Sequence, residues 1–201
     1  LSYSTGKPLI PVHHIRGHIA ANYIASPLLK PPFIALVVSG GHTSLIKVED
    51  YIKLITIGVT RDDAAGEAFD KAARVLGLPY PGGAAMDKLA AIGDKKRFPF
   101  TISKVHDAEY DFSFSGLKTA VINLVHNMKV RGEEIEGQLK ADIAASFTAA
   151  AVTTVCRGVE KLYTDGERLP LVLSGGVAAN SHLRKALTEL TEKYGVGFYV
   201  P

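Results

Sequence analysis

FIALVVSGGHTSLIKV, Phe33 to Val48, is the stretch on which the fold turns. Phe33 to Val38 is an unbroken apolar run of the kind that forms a strand covered on both faces. Ser39-Gly40-Gly41 supplies turn residues, and from His42 the chain alternates, Thr43, Leu45 and Lys47 on one side against Ser44, Ile46 and Val48 on the other. That is a β-hairpin. Tyr51 to Ile57 reads as a third strand, so three strands run in succession before the first following helix. A βββ meander ahead of a helix excludes a purely parallel βαβ protein and points to a mixed sheet in an α/β fold.

Working outward, Leu9 to Pro11 reads as the end of a strand and Val12 to Ser26 as a helix stopped at Pro27, with Pro31 and Pro32 as a stiff connector. Downstream the period becomes helical over Ala65–Leu76, Ala84–Ile92, Gly116–Val130 and Glu136–Tyr163. Leu169 to Ser174 is a buried-type strand, Gly175-Gly176 opens a helix running to Tyr194, and Gly197 to Val200 forms a last strand. The helical stretch from about residue 62 to 168 is therefore an insertion between strands.

Composition limits the function classes. The 201 residues carry 23 Lys and Arg against 20 Asp and Glu, a formal charge of +3, too small an excess to mark a polybasic nucleic-acid tail. Apolar residues make up 47% and charged ones 21%, which excludes a disordered or collagen-like chain. A chain of this mass buries roughly 70% of its unfolded surface, enough for a true core. The lone cysteine, Cys156, excludes an internal disulfide and a four-cysteine zinc site, and reads as a packed core thiol in a reducing, cytoplasmic setting. No uninterrupted apolar run reaches the ~18 residues that span a bilayer, so a membrane is not an expected partner.

Several groups can carry chemistry. His14 and His18 stand four apart on one helix face, the spacing that lets two imidazoles converge on a metal. A zinc protease would need Glu next to the first histidine, and Ile15 stands there. Ser39-Gly40-Gly41-His42, Gly82-Gly83 and Ser174-Gly175-Gly176 followed by Asn180 are three glycine turns, two of them opening helices, where backbone amides and a positive helix end can meet a phosphate. Each alone fits an ordinary tight turn; the three together favour a nucleotide. Asp63, Glu67 and Asp70 share one helix face, either solvated through Glu67–Lys71 and Asp70–Arg74 pairs or, at Asp70, accepting from a ligand hydroxyl. Asp62 and Asp63 sit where they can cap amides, Ser115 reads as an N-cap, and Lys118 is a candidate phosphate or RNA contact.

Taken together, PVHHIRGH (Pro11–His18), LVVSGGHTSL (Leu36–Leu45), DDAAGEAFDKAARVLGLPYPGG (Asp62–Gly83), DFSFSGLKTA (Asp111–Ala120) and LSGGVAANSHLR (Leu173–Arg184) give a chain that resembles, along essentially its whole length, the bacterial tRNA threonylcarbamoyladenosine transferases, once catalogued as O-sialoglycoprotein endopeptidases. The resemblance implies an actin/Hsp70/sugar-kinase-like fold of two lobes, each a βββαβα unit. Residues 1–30 would be the tail of the first lobe with the metal-binding helix, and 31–201 most of the second, cut short at its C-terminus. It further implies that His14 and His18 hold one divalent metal, iron or zinc. Val37, Val38, Ser39, Gly40 and Gly41, with His42 close by, would face the phosphate region of threonylcarbamoyl-adenylate or ATP. Asp70 and Gly83 would hold the ribose with Asp87 near them, and Gly175, Gly176 and Asn180 would border adenine and phosphates.

The implied reaction is metal-dependent acyl transfer of threonylcarbamoyl to the exocyclic amine of the adenosine next to the anticodon of ANN-decoding tRNAs. The implied partners are tRNA, a paralogous subunit and a small ATPase. Arg16 and Ala84 depart from the acidic residue and proline of many relatives. The family's opening glycine- and acid-containing strand, and its late Cys-Thr-Asp-Asn stretch with the third metal ligand, do not occur here, so these residues alone are expected to be inactive. An ATPase or small-molecule kinase of the same fold, a metalloprotease and a non-catalytic binding subunit are the competing expectations.

Overall fold

The structure is a computed structural model that describes every residue except Lys104 and His106. Its centre is the expected hairpin. Strand β1 (Phe33–Val38) pairs antiparallel with β2 (Thr43–Val48), Phe33 opposite Val48 and Val38 opposite Thr43, so the turn is Ser39 to His42. Strand β3 (Leu54–Val59) continues the meander antiparallel to β2, three residues later than its apolar pattern predicts. Tyr51 and Ile52 are exposed in the intervening turn, because the Asp50 carboxylate accepts the Ile52 and Lys53 amides and closes that turn first.

Strand β4 (Leu171–Ser174) lies parallel to β1 on its other side, and the two-residue β5 (Phe198–Tyr199) is parallel to β4. The sheet order is β3-β2-β1-β4-β5. With neighbours on both edges and apolar groups on both faces, all six residues of β1 are buried.

The two faces are covered unequally. Alternation sends Ile34, Leu36, Val38, Leu171 and Leu173 into the main core, and Phe33, Ala35, Val37 and Val172 into a smaller one. The main core is built with α3 (Ala65–Val75), α4 (Gly83–Ala90), α5 (Ser115–Val130), α6 (Gly137–Thr164) and α7 (Ser181–Tyr194). Its largest buried groups include Phe112, Phe114, Phe147 and Tyr163. On the opposite face α2 (His14–Ala25) inserts Ile19 against Phe33 and Val172.

Helix α6, 28 residues long, is long and apolar enough by composition to cross a membrane, but 72% of its most apolar window is buried, which makes it the core helix of the main layer. Cys156 lies in α6, packed against that core, and burial pushes its thiol up to about 12, as expected of an unreactive core group.

Three local expectations are corrected. Residues 9–11 form no strand; a single-turn helix α1 (Ser2–Thr5) precedes an exposed coil, and Leu1, Tyr3, Leu9, Ile10 and Val12 face outward. This arm contributes to an accessible surface of 10,771 Å², above the ~9,200 Å² typical of the mass. Gly175-Gly176 leads into a 3-10 turn (Gly176–Ala179) before α7 starts at Ser181.

Ser115 is the first residue of α5 and not its cap. The cap comes from 53 residues upstream: Asp62 Oδ1 accepts the Phe114 amide at 2.8 Å and the Ser115 amide at 3.2 Å, while Oδ2 accepts the Ser113 and Ser115 hydroxyls. Burial works against the Asp62 charge, but these bonds outweigh it and hold its carboxyl below the usual range. Asp62→Ala is expected to cost about 1 kcal/mol, tempered by the carboxylate's exposure. Since the folded-state pKa is the depressed one, that difference from wild type is full above the unfolded carboxylate value of about 3.9. It should vanish as pH falls through the folded pKa, in urea denaturation run at neutral and acid pH.

Candidate nucleotide and metal sites

The hairpin turn and the start of α3 are built against each other. Thr43 Oγ1 accepts the Ala65 amide at 2.9 Å, and the Ser39 carbonyl accepts the Gly66 amide at 3.2 Å. The approach is so close that a Cβ on Gly66 would lie 2.6 Å from the Ser39 oxygen. Within the turn, the Ser39 hydroxyl accepts the His42 amide at 3.1 Å and the Ser39 amide donates to the His42 carbonyl at 2.7 Å. Gly40 and Gly41 are left with open space where side chains would stand. Gly175, at φ +94°, brings its α-carbon against β1: a Cβ there would lie 2.3 Å from the Val38 carbonyl oxygen. The ends of β1 and β4 are thereby drawn together.

Above these strand ends lies a cavity of about 460 Å³. Gly40, Asp70, Gly83, Asp87, Gly176 and Asn180, all expected site residues, line it. So do Gly66, Phe69, Pro81, Ala84, Lys88, Val177 and Ala179, which sequence reasoning did not single out. Phe69, Pro81 and Val177 give it apolar walls. Asp70 Oδ1 accepts the Gly82 amide at 2.8 Å, which folds the Pro81–Gly83 turn over the end of α3; the expected Asp70–Arg74 pair is not formed. Asp87 Oδ1 accepts the Ser181 amide and hydroxyl, each at 3.0 Å. Asn180 Oδ1 accepts the Leu183 amide at 2.8 Å as the N-cap of α7. Asp70, Asp87 and Asn180 therefore each keep one atom engaged by the protein, and Asp70 Oδ2, Asp87 Oδ2 and Asn180 Nδ2 have no protein partner among the described residues.

The expectation that the positive end of α7 meets an anion is corrected: Asp87 and Asn180 occupy it. What remains for an anion are the amides of the glycine turns at residues 40–41 and 175–176. Lys118 likewise is not a free cation, since it and Lys71 both pair with Asp63, and Lys71 also bonds Glu67 at 2.6 Å.

The remaining expected residues lie away from the cavity lining. Val37 and Val38 are wholly buried, Val37 toward α2 and Val38 toward the main core, so only their backbone adjoins the turn. His14 and His18 project from the first turns of α2 on the other side of the hairpin, their Nε2 atoms 3.1 Å apart. The His42 ring, at the hairpin tip, is centred 5.2 Å from that of His14. Burial, then His14 and His42, lower the pKa of His18, which favours its neutral, metal-ligating form. The 3.1 Å separation fits two ligands on one ion, for which metal–nitrogen bonds of ~2.0–2.1 Å imply roughly 3.0–3.4 Å. Among the described residues no three His, Cys, Asp or Glu side chains are arranged to hold an ion, so the pair supplies part of a coordination shell.

Residues 1–201 match the family TsaD, tRNA N6-adenosine threonylcarbamoyltransferase. The chain belongs to this family. TsaD relatives of that name are 50% identical in Caldicellulosiruptor saccharolyticus, 48% in Moorella thermoacetica and 49% in Clostridium perfringens, each over 201 residues. In all three the match covers 100% of this chain and 58% of the relative, so the chain spans little more than half of their length.

Among solved structures, full-length HypF in a phosphate- and nucleotide-bound form matches with a TM-score of 0.69 at 16% identity, over 100% of this chain and 41% of HypF. Component A of the Acidaminococcus fermentans (R)-2-hydroxyglutaryl-CoA dehydratase matches with a TM-score of 0.55 at 18% identity, over 100% and 66%. At these identities the likeness shows the fold alone, and that fold is the actin/Hsp70/sugar-kinase-like one expected from the family resemblance.

Gly66→Ala tests the link between α3 and the turn. Its methyl must displace the Ser39 carbonyl or the Gly40 amide, at a cost of about 1–3 kcal/mol by overpacking. Urea denaturation should show that loss, and titration of the full-length protein with ATP should show weakened binding.

Proposed function

We propose that the whole protein of which these residues are part transfers the threonylcarbamoyl group of threonylcarbamoyl-adenylate to the exocyclic amine of the adenosine next to the anticodon of ANN-decoding tRNAs. The observation that carries this reading is the family match over residues 1–201, joined to a cavity that gathers residues from all three glycine turns.

The apolar walls at Phe69, Pro81 and Val177 suit a purine, and the open oxygens of Asp70 and Asp87 suit ribose hydroxyl donors. The amides of Gly40–Gly41 and Gly175–Gly176 would hold the phosphate. They are fixed before the ligand arrives by the close approaches at Gly66 and Gly175, so they stabilise charge on the leaving phosphate without rearranging. In the reaction the adenosine amine attacks the carbamoyl carbonyl carbon, the bond from that carbon to the phosphate oxygen breaks, AMP leaves with the electron pair, and the amine gives up a proton.

His14 and His18 are the residues that would hold a divalent ion, iron or zinc, with a further ligand from outside the described residues. Bound there, it would supply Lewis acidity and a template for the phosphate and carbamoyl oxygens. The side chains themselves are held ready. Arg16, between the two histidines, donates to the Ile52 carbonyl at 2.7 Å and ties α2 to the β2–β3 turn. Asn22, one turn beyond His18, donates its amide to the His18 carbonyl at 3.1 Å.

We place this activity in the cytoplasm, with tRNA, a paralogous subunit and a small ATPase as partners. The test uses the full-length protein with threonylcarbamoyl-adenylate and an ANN-decoding tRNA transcript. Transfer to the adenosine is the expected result, and His14→Ala and His18→Ala should each lower bound metal and transfer rate together. A wild-type protein that hydrolyses ATP with a small hydroxylated acceptor and ignores tRNA would replace this reading with the kinase one. Unchanged metal content in both variants would remove the histidines from the metal site.

A further inference from the structure

His182 is an ionisable residue in direct contact with the cavity-lining Asp87, and the proposed transfer does not use it. It is the second residue of α7, and its Nδ1 lies 2.9 Å from Asp87 Oδ1. That oxygen also takes the Ser181 amide and hydroxyl, so all three of its contacts come from the first two residues of α7. The His182 and Asp87 side chains are 34% and 20% exposed, which leaves the pair partly shielded from water. Asp87 stands on α4, in one wall of the cavity; Ala179 and Asn180 stand in the wall that leads into α7. The contact thus joins two walls.

Helix stability does not explain it. The α7 N-terminus is capped by Asn180, whose side chain accepts the Leu183 amide at 2.8 Å, and by Asp87, which accepts the Ser181 amide; neither bond involves the His182 ring, so capping does not account for its contact with Asp87. The benefit falls on Asp87. A carboxylate turns easily about its last torsion, and the two Ser181 contacts reach it from a single residue. A third donor, from a rigid ring on the next residue, fixes its plane with Oδ1 toward α7 and Oδ2 free.

We infer that His182 is a positioning residue for Asp87: it locks the carboxylate to α7 so that Oδ2 faces the cavity and accepts a hydroxyl of a bound ribonucleotide. This rests on the nucleotide reading given above. His182 touches no ligand itself. It sets how strongly the cavity distinguishes a ribonucleotide from the same nucleotide lacking that hydroxyl.

The experiment measures binding of ATP, 2′-deoxy-ATP and 3′-deoxy-ATP by calorimetry to the full-length protein in three forms: wild type, His182→Leu and His182→Asn. Asn keeps a nitrogen donor close to the place of Nδ1; Leu keeps bulk and removes the donor. In His182→Leu, ATP binding should weaken about tenfold, the effect of losing one charge-assisted hydrogen bond to a ligand. One deoxy analogue should lose almost nothing, so that discrimination against it collapses, and His182→Asn should restore most of both.

Two results overturn the role of His182 alone: ATP and deoxy affinities in His182→Leu equal to wild type, or all three weakened by the same factor, as a general loosening of α7 would produce. Failure of the wild-type protein to bind any of the three overturns the nucleotide reading and this inference with it.

Discussion

Two glycine α-carbons packed against the end of strand β1 are the constraint on which the site depends. Gly175 sits against the Val38 carbonyl and Gly66 against the Ser39 carbonyl, each with less than 3 Å for a β-carbon. The first contact sets β4 beside β1; the second seats α3 on the hairpin turn. Between them the turn at residues 39–42 is held from two sides, so its amides keep one arrangement. Gly175 also needs φ +94°, a conformation that side chains rarely adopt, so both its backbone and its surroundings demand glycine. Ligand binding at the carboxyl ends of sheet strands is general in open α/β folds, and here these backbone contacts shape the crevice.

The polar groups follow one rule. Helix N-termini near the site are satisfied by the protein itself: α3 by Thr43 and Ser39, α5 by Asp62, and α7 by Asn180 and Asp87. The Ala65 and Leu183 bonds are buried, and an unsatisfied buried amide costs about 1–3 kcal/mol, so those two ends depend most on their partners. The same bonds connect elements distant in sequence, since Asp62 lies in the loop before α3 and Asp87 lies in α4. Each carboxylate that caps a remote helix thereby fixes the relative placement of two parts of the helical layer. At Asp70 and Asp87 the second oxygen is left over, and both of these residues line the cavity.

How much of this was legible in the sequence depended on whether the cause was local. The apolar run of β1 and the alternation of β2 are local, and both strands fall where the pattern places them. The glycine turns, and Asn180 beside one of them, were legible for the same reason, whereas Asp87 entered only through the family resemblance. Strand β3 was displaced because Asp50 closes the preceding turn through its own side chain, which apolar periodicity does not register. Ser115 was misread as a cap because the true cap, Asp62, is remote in sequence. Gly66 looked like one more small residue in an Ala-rich helix, and only its contact with Ser39 marks it. Phe69 and Val177 carried core-type patterns and gave no sign that they border a cavity. His182 gave no signal at all, since its meaning comes from Asp87, 95 positions earlier.

The arrangement of the two candidate sites has a consequence for the chemistry. The cavity lies on the main-core side of the hairpin turn and the imidazoles on the α2 side, so a ligand that reaches both must pass across Ser39–His42. A nucleotide whose base and ribose occupy the cavity would therefore present its phosphate to the turn amides, with any group attached beyond that phosphate directed toward His14 and His18. The acyl group of an adenylate is attached there. The cavity has apolar walls, and His13 and His14 are exposed among the described residues. Under the proposed function, the sheet would separate recognition of the nucleotide, on one face, from delivery of its activated group, on the other.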